Sequence, residues 1–181
     1  MTTCSHIILM ASYNEWMNQK LYEAAGRLSR QELAADKKAP FRSLIGILNH
    51  IIVGDTLWLK RFAAHPANHA ALDPIRQLPM PSSLDQVLFD NLGEMLTHRR
   101  MLDKVTKQWA NALHEEDLQS VLHYASIKGV PAEKRFSSLV LHFFNHQTHH
   151  RGQATTLLFQ ADVDIGVTDL LALIPNELKP A

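Results

Sequence analysis

Residues 142–153 read HFFNHQTHHRGQ and hold four of the chain's eleven histidines. Their angles carry more information than their number. Successive residues of an α-helix turn by about 100°. Measured around the helix from His142, His146 falls at about 40°, His150 at about 80° and His149 at about −20°. Leu139 and Leu157 both fall at about 60°, Phe143 at about 100° and Ala154 at about 120°. His146 and His150 therefore sit in the middle of an apolar stripe expected to face a core. His142 and His149 lie at its edge, with Thr156 and Gln160. Asn145, Thr148, Arg151 and Gly152 fall outside the stripe.

This periodicity places the stretch in a helix over about 136–161, and three further segments share it. The first spans about 5–28, where Met10, Tyr13, Met17, Leu21, Ala25 and Leu28 recur at three- and four-residue steps. Ser29 and the polar stretch to Pro40 end it. The second spans about 41–63 and includes FRSLIGILNHIIVGDTLWLKRF (41–62). A connection over 66–82 follows, with Pro66, Pro74, Pro79 and Pro81, which no continuous helix accommodates. Ser82 or Ser83 is the expected cap of the third helix, about 83–110, with Leu84, Val87, Leu88, Leu92, Met95, Leu96, Met101 and Leu102 on its apolar positions. Residues 117–135 break the pattern and fit either an irregular crossover or a short β-hairpin. A short tail helix is expected near 168–174, before Pro175. The expected fold is all-α: one domain over 1–181, a four-helix bundle with crossover connections.

Composition agrees with a globular domain. The 181 residues are 46% hydrophobic and 20% charged, enough to build a core without disulfide staples. Eighteen basic residues balance eighteen acidic ones, which argues against a general nucleic-acid binder. Cys4 is the single cysteine, so no intramolecular disulfide forms, and a reducing compartment is suited. The start, MTTCSHIILMASYNEW, has no cationic leader, and no stretch approaches the roughly 18–20 apolar residues of a membrane span. A cytoplasmic protein without membrane or nucleic-acid partners is expected.

Pairs of histidines four apart occur at 65/69, 142/146 and 146/150. His65 and His69 flank Pro66 in an expected loop and read as solvated. His146 and His150 share a face that points inward, where each ring has two nitrogens to satisfy. A shared metal ion would satisfy one nitrogen on each ring; buried hydrogen-bond partners would serve equally well. A third histidine tilts this balance. Measured from His50 on the second helix, Leu57 falls at about −20°, Ile47 at about 60° and Val53 at about −60°. Asn49, Thr56 and Lys60 occupy the opposite, polar side, so His50 also points inward. Gly46 and Gly54 flank it on its own face, each costing up to about 1 kcal/mol against alanine in a helix. Such a pair leaves room for something other than side chains.

Three converging histidines leave at least one coordination position open, the catalytic rather than the structural pattern for zinc. Imidazole ligands suit zinc, nickel or iron better than manganese. A zinc-protease motif is rejected, because Gln147 follows His146 where a glutamate general base is needed. Asp55 falls about 140° from His50 and is not expected to reach the same ion. Trp16, Trp58 and Trp109 fit core or pocket-wall roles, and the core is the expected one for each.

YNEWMNQKL (13–21), FRSLIGILNHIIVGDTLWLKRF (41–62) and HQTHHRGQ (146–153), in that order, resemble the DinB/YfiT-like superfamily of four-helix bundles, and the likeness covers nearly the whole chain. The resemblance implies His50, His146 and His150 as ligands of a divalent metal, and a homodimer packed through helices. It also suggests a small-molecule substrate and a low-molecular-weight thiol, as in a thiol S-transferase or a hydrolase. The competing reading is a non-catalytic metal-binding or stress-response protein whose ion ties two helices together. A bundle whose histidines make only polar contacts is the third. His149 departs from the pattern beside His150 and reads as solvated. Arg151 reads as a salt-bridging or interface residue, and Gln153 as either a ligand-orienting group or a simple polar residue.

Overall fold

The computed structural model describes residues 2–177. Thr2 opens the first helix by accepting a hydrogen bond from the Ser5 N–H, and α1 runs Thr3–Ala25. A capping box between Ser29 and Glu32 then builds a short helix inside the expected polar stretch, α2 (Arg30–Ala34). Ser43 accepts from the Gly46 N–H and starts α3 (Leu44–Phe62). Beyond a 3₁₀ turn at Ala70–Leu72 come α4 (Asp73–Arg76), α5 (Leu92–Ala112) and α6 (Glu115–Leu118). Strands β1 (Val121–Ala125) and β2 (Pro131–Arg135) form an antiparallel hairpin, pairing Val121 with Arg135 and Ala125 with Pro131. Helix α7 follows at once over Phe136–Phe159. The tail forms a short 3₁₀ helix at Leu170–Leu173, inside the expected 168–174.

Each long helix packs on two others: α1 on α5 and α7, and α3 on α5 and α7. The result is the expected all-α bundle with a hairpin in the second crossover. Its core includes Leu21, Ile47, Leu48, Ile52, Leu59, Met95, Leu102, Trp109, Phe136, Phe143 and Leu158. Trp109 is fully buried as expected, whereas Trp16 and Trp58 are half-buried under the cations of Lys20 and Arg61. No helix among the described residues is long and apolar enough to cross a membrane.

The third long helix begins at Leu92, not near residue 83. Asn91 caps it, its Oδ1 accepting from the Gly93 and Glu94 N–H groups. Residues 84–91 stay non-helical, and side chains of α3 claim backbone groups of Leu84, Leu88 and Phe89. Asn49 Oδ1 accepts from the Leu88 and Phe89 N–H groups at 2.8 and 2.9 Å, and Asn49 Nδ2 donates to the Phe89 carbonyl at 2.8 Å. Satisfied backbone groups outside a helix remove the drive to join one. Leu84 and Val87, expected on the apolar face of that helix, are exposed instead. Asn49 and Thr56, expected on a polar side of α3, are buried.

A charged layer crosses the middle of the bundle. Arg99 is buried with Asp55 and Asp103, and it hydrogen-bonds Asp55 Oδ2. Gln147 Nε2 donates to Asp55 Oδ1 at 2.7 Å, and Asn18 Nδ2 to Asp103 Oδ1 at 2.8 Å. Arg151 hydrogen-bonds Asn14, lies over the Tyr13 ring and is buried with no ion pair among the described residues, so it is neither a salt-bridging nor an interface residue. Burial lowers its pKa to about 10. The apolar arc of α7 is thus wider than its leucines and histidines suggest. One edge meets α3 and the other, through Gln147 and Arg151, meets α1 and the charged layer.

Candidate metal centre

Helix α3 supplies His50, and α7 supplies His146 and His150 one turn apart. The structure brings these three rings together: His50 Nε2 lies 3.1 Å from Nε2 of His146 and 3.1 Å from Nε2 of His150. His50 is buried and the other two are partly so. Both glycines of α3 are accounted for by close approach. A Cβ on Gly54 would stand 2.6 Å from His146 Cε1, so the space beside Gly54 is taken by a side chain, the imidazole itself. A Cβ on Gly46 would overlap the carbonyl of Phe41. That approach lets Phe41 stack on His50 with ring centroids 3.7 Å apart and planes at 14°. The expected room for a group other than a side chain beside Gly54 is therefore corrected. The turn that delivers Phe41 is strained, with Phe41 and Arg42 both in the left-handed region at φ 58° and 68°.

Second partners orient the rings. His50 Nδ1 donates to the Leu84 carbonyl at 2.7 Å, and His150 Nδ1 donates to Gln153 Oε1 at 2.8 Å. A neutral imidazole carries one proton, so both Nε2 atoms present lone pairs toward the same point. Two nitrogens that are acceptors only cannot hydrogen-bond each other, and a cation relieves their repulsion. The spacing fits one: nitrogens about 2.0–2.1 Å from a single ion stand about 2.9–3.4 Å apart at ordinary coordination angles. The anchoring of the distal nitrogens of His50 and His150 by acceptors is the usual support of a ligating histidine. Burial lowers the pKa of all three rings, that of His146 to about 3, and neighbouring imidazoles add to the effect at His146 and His150. All three are therefore neutral at pH 7, the form that binds metal.

The other singled-out residues lie outside this triad. His142 is exposed and meets the Trp58 edge, its ring 6.0 Å from that of His146. His149 is exposed as expected, with Nε2 3.1 Å from Gln153 Nε2. Gln153 is accordingly an orienting residue for His150. Asp55 is held by Arg99 and Gln147 in the charged layer. His65 and His69 contradict their expected solvation, for they are 4% and 8% exposed. His65 Nδ1 accepts from the Ala67 N–H, its Nε2 meets Ser120 Oγ at 2.7 Å, and its ring stacks on Phe136. His69 Nε2 faces Asp117 at 3.4 Å. These residues could be drawn as a second ligand set with Asp117, but both nitrogens of His65 are already engaged within the chain. Three supports of the triad had no signal at their own positions: the Leu84 carbonyl, Asn49 behind it, and Phe41. A periodic pattern hid the first in an expected helix, and the other two depend on loop paths.

A helical bundle with three imidazoles converging between two of its helices defines the class of protein to which this chain belongs. The model of the DinB family matches residues 1–177, and the chain belongs to that family. It is 23% identical over 159 residues to "Protein DinB" of Bacillus subtilis (strain 168), covering 87% of each chain. No solved structure matches it.

Proposed function

We propose that the protein is a divalent-metal-dependent enzyme acting on a small molecule, of the thiol S-transferase or hydrolase type. His50, His146 and His150 are its ligands. The observation that carries the reading is the convergence of three Nε2 atoms, two of them with the distal nitrogen anchored on a carbonyl-type acceptor. Three neutral donors suit zinc or nickel, with iron next, and leave a coordination position for an exogenous ligand. A bound metal would supply Lewis acidity, lowering the pKa of a thiol or water at that position. The chain's own part is to hold the donors. Leu84 and Gln153 set the tautomers of His50 and His150, Phe41 covers one face of His50, and Gly54 admits the His146 ring.

The nearest carboxylate on these helices, Asp55, is occupied by Arg99 and Gln147, which favours chemistry that needs no carboxylate base. A low-molecular-weight thiol whose proton leaves on binding meets that condition. A homodimer is consistent with an apolar groove of about 510 Å³ between α1 and α7, lined by Ile7, Met10, Val140, Leu141 and Phe144, in which Leu141 is 73% exposed. The deciding experiment is metal analysis of protein purified without an affinity tag, followed by cobalt substitution and addition of thiols. A near-stoichiometric ion and a thiol-induced change in the cobalt spectrum are expected. Less than about a tenth of an equivalent would refute the metal site. A bound ion blind to every thiol would leave a structural metal instead.

A further inference from the structure

Among the described residues, Arg61 is a half-buried cation without an anion. It sits on α3 three turns beyond His50, its guanidinium carbon 4.6 Å above the Trp58 ring and 4.9 Å from that of Tyr124. Its hydrogen bond is to a neutral group: Nη2 donates to the Ala125 carbonyl of β1 at 2.9 Å. Among the described residues no carboxylate comes within ion-pair distance of it. Burial pulls its pKa down, and the one opposing influence is the Tyr124 phenol. A guanidinium has five N–H donors, and most of those on Arg61 are left over.

Arg61 lines a cleft of about 500 Å³ between α3, the 80–82 segment and the hairpin. Leu57, Met80, Tyr124 and Ile127 make much of its wall apolar, and Ser126 adds a hydroxyl. A second cation borders it. Lys60 Nζ is spent on the carbonyls of Ile75, Arg76 and Leu78, so its charge too lacks a carboxylate. His123, also on the rim, keeps Glu133 for itself at 3.1 Å. The cleft therefore joins an unpaired guanidinium, with the carbonyl-bound Lys60 ammonium at its border, to an apolar wall, and no acidic side chain is among the described residues that line it. Desolvating an arginine is costly unless an anion repays the cost, and an oxyanion matches its planar fork.

We propose that this cleft binds a small amphipathic oxyanion, a carboxylate or a phosphate carrying an apolar body, with the charged end on Arg61 and the body against Tyr124, Met80 and Ile127. The site goes beyond the metal reading and does not depend on it. Trp58 and His142 separate Arg61 from His146, in ring steps of 5.0 and 6.0 Å.

Calorimetric titration with phenyl phosphate, phenylacetate and neutral benzyl alcohol tests it, with the indole N–H resonance of Trp58 as the reporter of location. Metal-stripped and metal-loaded protein should behave alike, so that the outcome stands whether or not the histidines bind an ion. Both anions, or the one whose head group fits, should bind more tightly than the alcohol and shift Trp58. Arg61→Gln, which keeps a donor for Ala125, should weaken that binding about tenfold or more, and Arg61→Lys less. Equal affinities for anion and alcohol in the wild type overturn the proposal, even if Arg61→Gln fails to fold. So does an Arg61→Gln protein of unchanged melting temperature that binds the anion as well as the wild type.

Discussion

Gly54 and His146 fit each other across the α3–α7 seam: the imidazole occupies the place where a Cβ on residue 54 would lie 2.6 Å from its Cε1. The glycine thus sets how deeply His146 enters the seam, and with it where Nε2 meets His50. Alanine normally strengthens a helix by up to about 1 kcal/mol over glycine. At residue 54 the sign should reverse, since overpacking costs about 1–3 kcal/mol. Gly54→Ala should lower both melting temperature and metal affinity. Gly152, where a Cβ meets nothing within 4 Å, is the matched control. Gly152→Ala should raise the melting temperature and leave metal binding alone.

The ligand set separates histidines that sequence spacing makes look alike. His50→Ala should abolish stoichiometric metal binding, and His142→Ala should leave it intact. Gln153→Ala removes the acceptor at His150 Nδ1 and should weaken metal affinity about 10–100-fold without abolishing it. Inductively coupled plasma analysis and competition with a chelator measure all three. Equal losses in His50→Ala and His142→Ala would refute the assignment.

Asn49 has a larger role than its neutrality suggests. It makes three hydrogen bonds to the 88–89 backbone and one to the Ile45 carbonyl. Asn49→Ala leaves part-buried backbone groups unpaired, at up to about 1–3 kcal/mol each where water cannot reach them. It also frees the segment that brings the Leu84 carbonyl to His50. Lower stability together with weaker metal binding is expected; a change in stability alone would show that Leu84 keeps its place without Asn49. Denaturant melts paired with metal titration tell these apart.

The charged layer should matter to stability and not to metal. Asp55→Ala leaves Arg99 with Asp103 as its remaining carboxylate partner and Gln147 with a free amide. Removing one member of a buried ion pair costs about 3–5 kcal/mol. Chemical denaturation should report a loss of that order. Protein that remains folded should still bind its ion.

The groove between α1 and α7 makes a prediction about assembly. Leu141→Lys places a charge on its most exposed apolar residue and should shift sedimentation from dimer to monomer. A wild-type protein that sediments as a monomer would remove the homodimer from the proposed function.

Sequence alone determined the helices with a single continuous apolar stripe, the break at 117–135, and the inward direction of His50, His146 and His150. Periodicity is a local property, and each of these follows from spacing within one segment. The tertiary structure decided what depends on a second segment. The start of α5 moved to Leu92 because Asn49, some forty positions earlier, binds the backbone that would have extended it. His65 and His69 are buried because Ser120, Asp117 and Phe136 come to them across the fold. Arg151 turned inward because α7 meets α1 as well as α3, and a helix touching two neighbours buries a wider arc than one apolar stripe records. The two glycines of α3 were visible as an anomaly in the sequence, yet their partners, the Phe41 carbonyl and the His146 ring, exist only once the loop and the fourth long helix have closed over them.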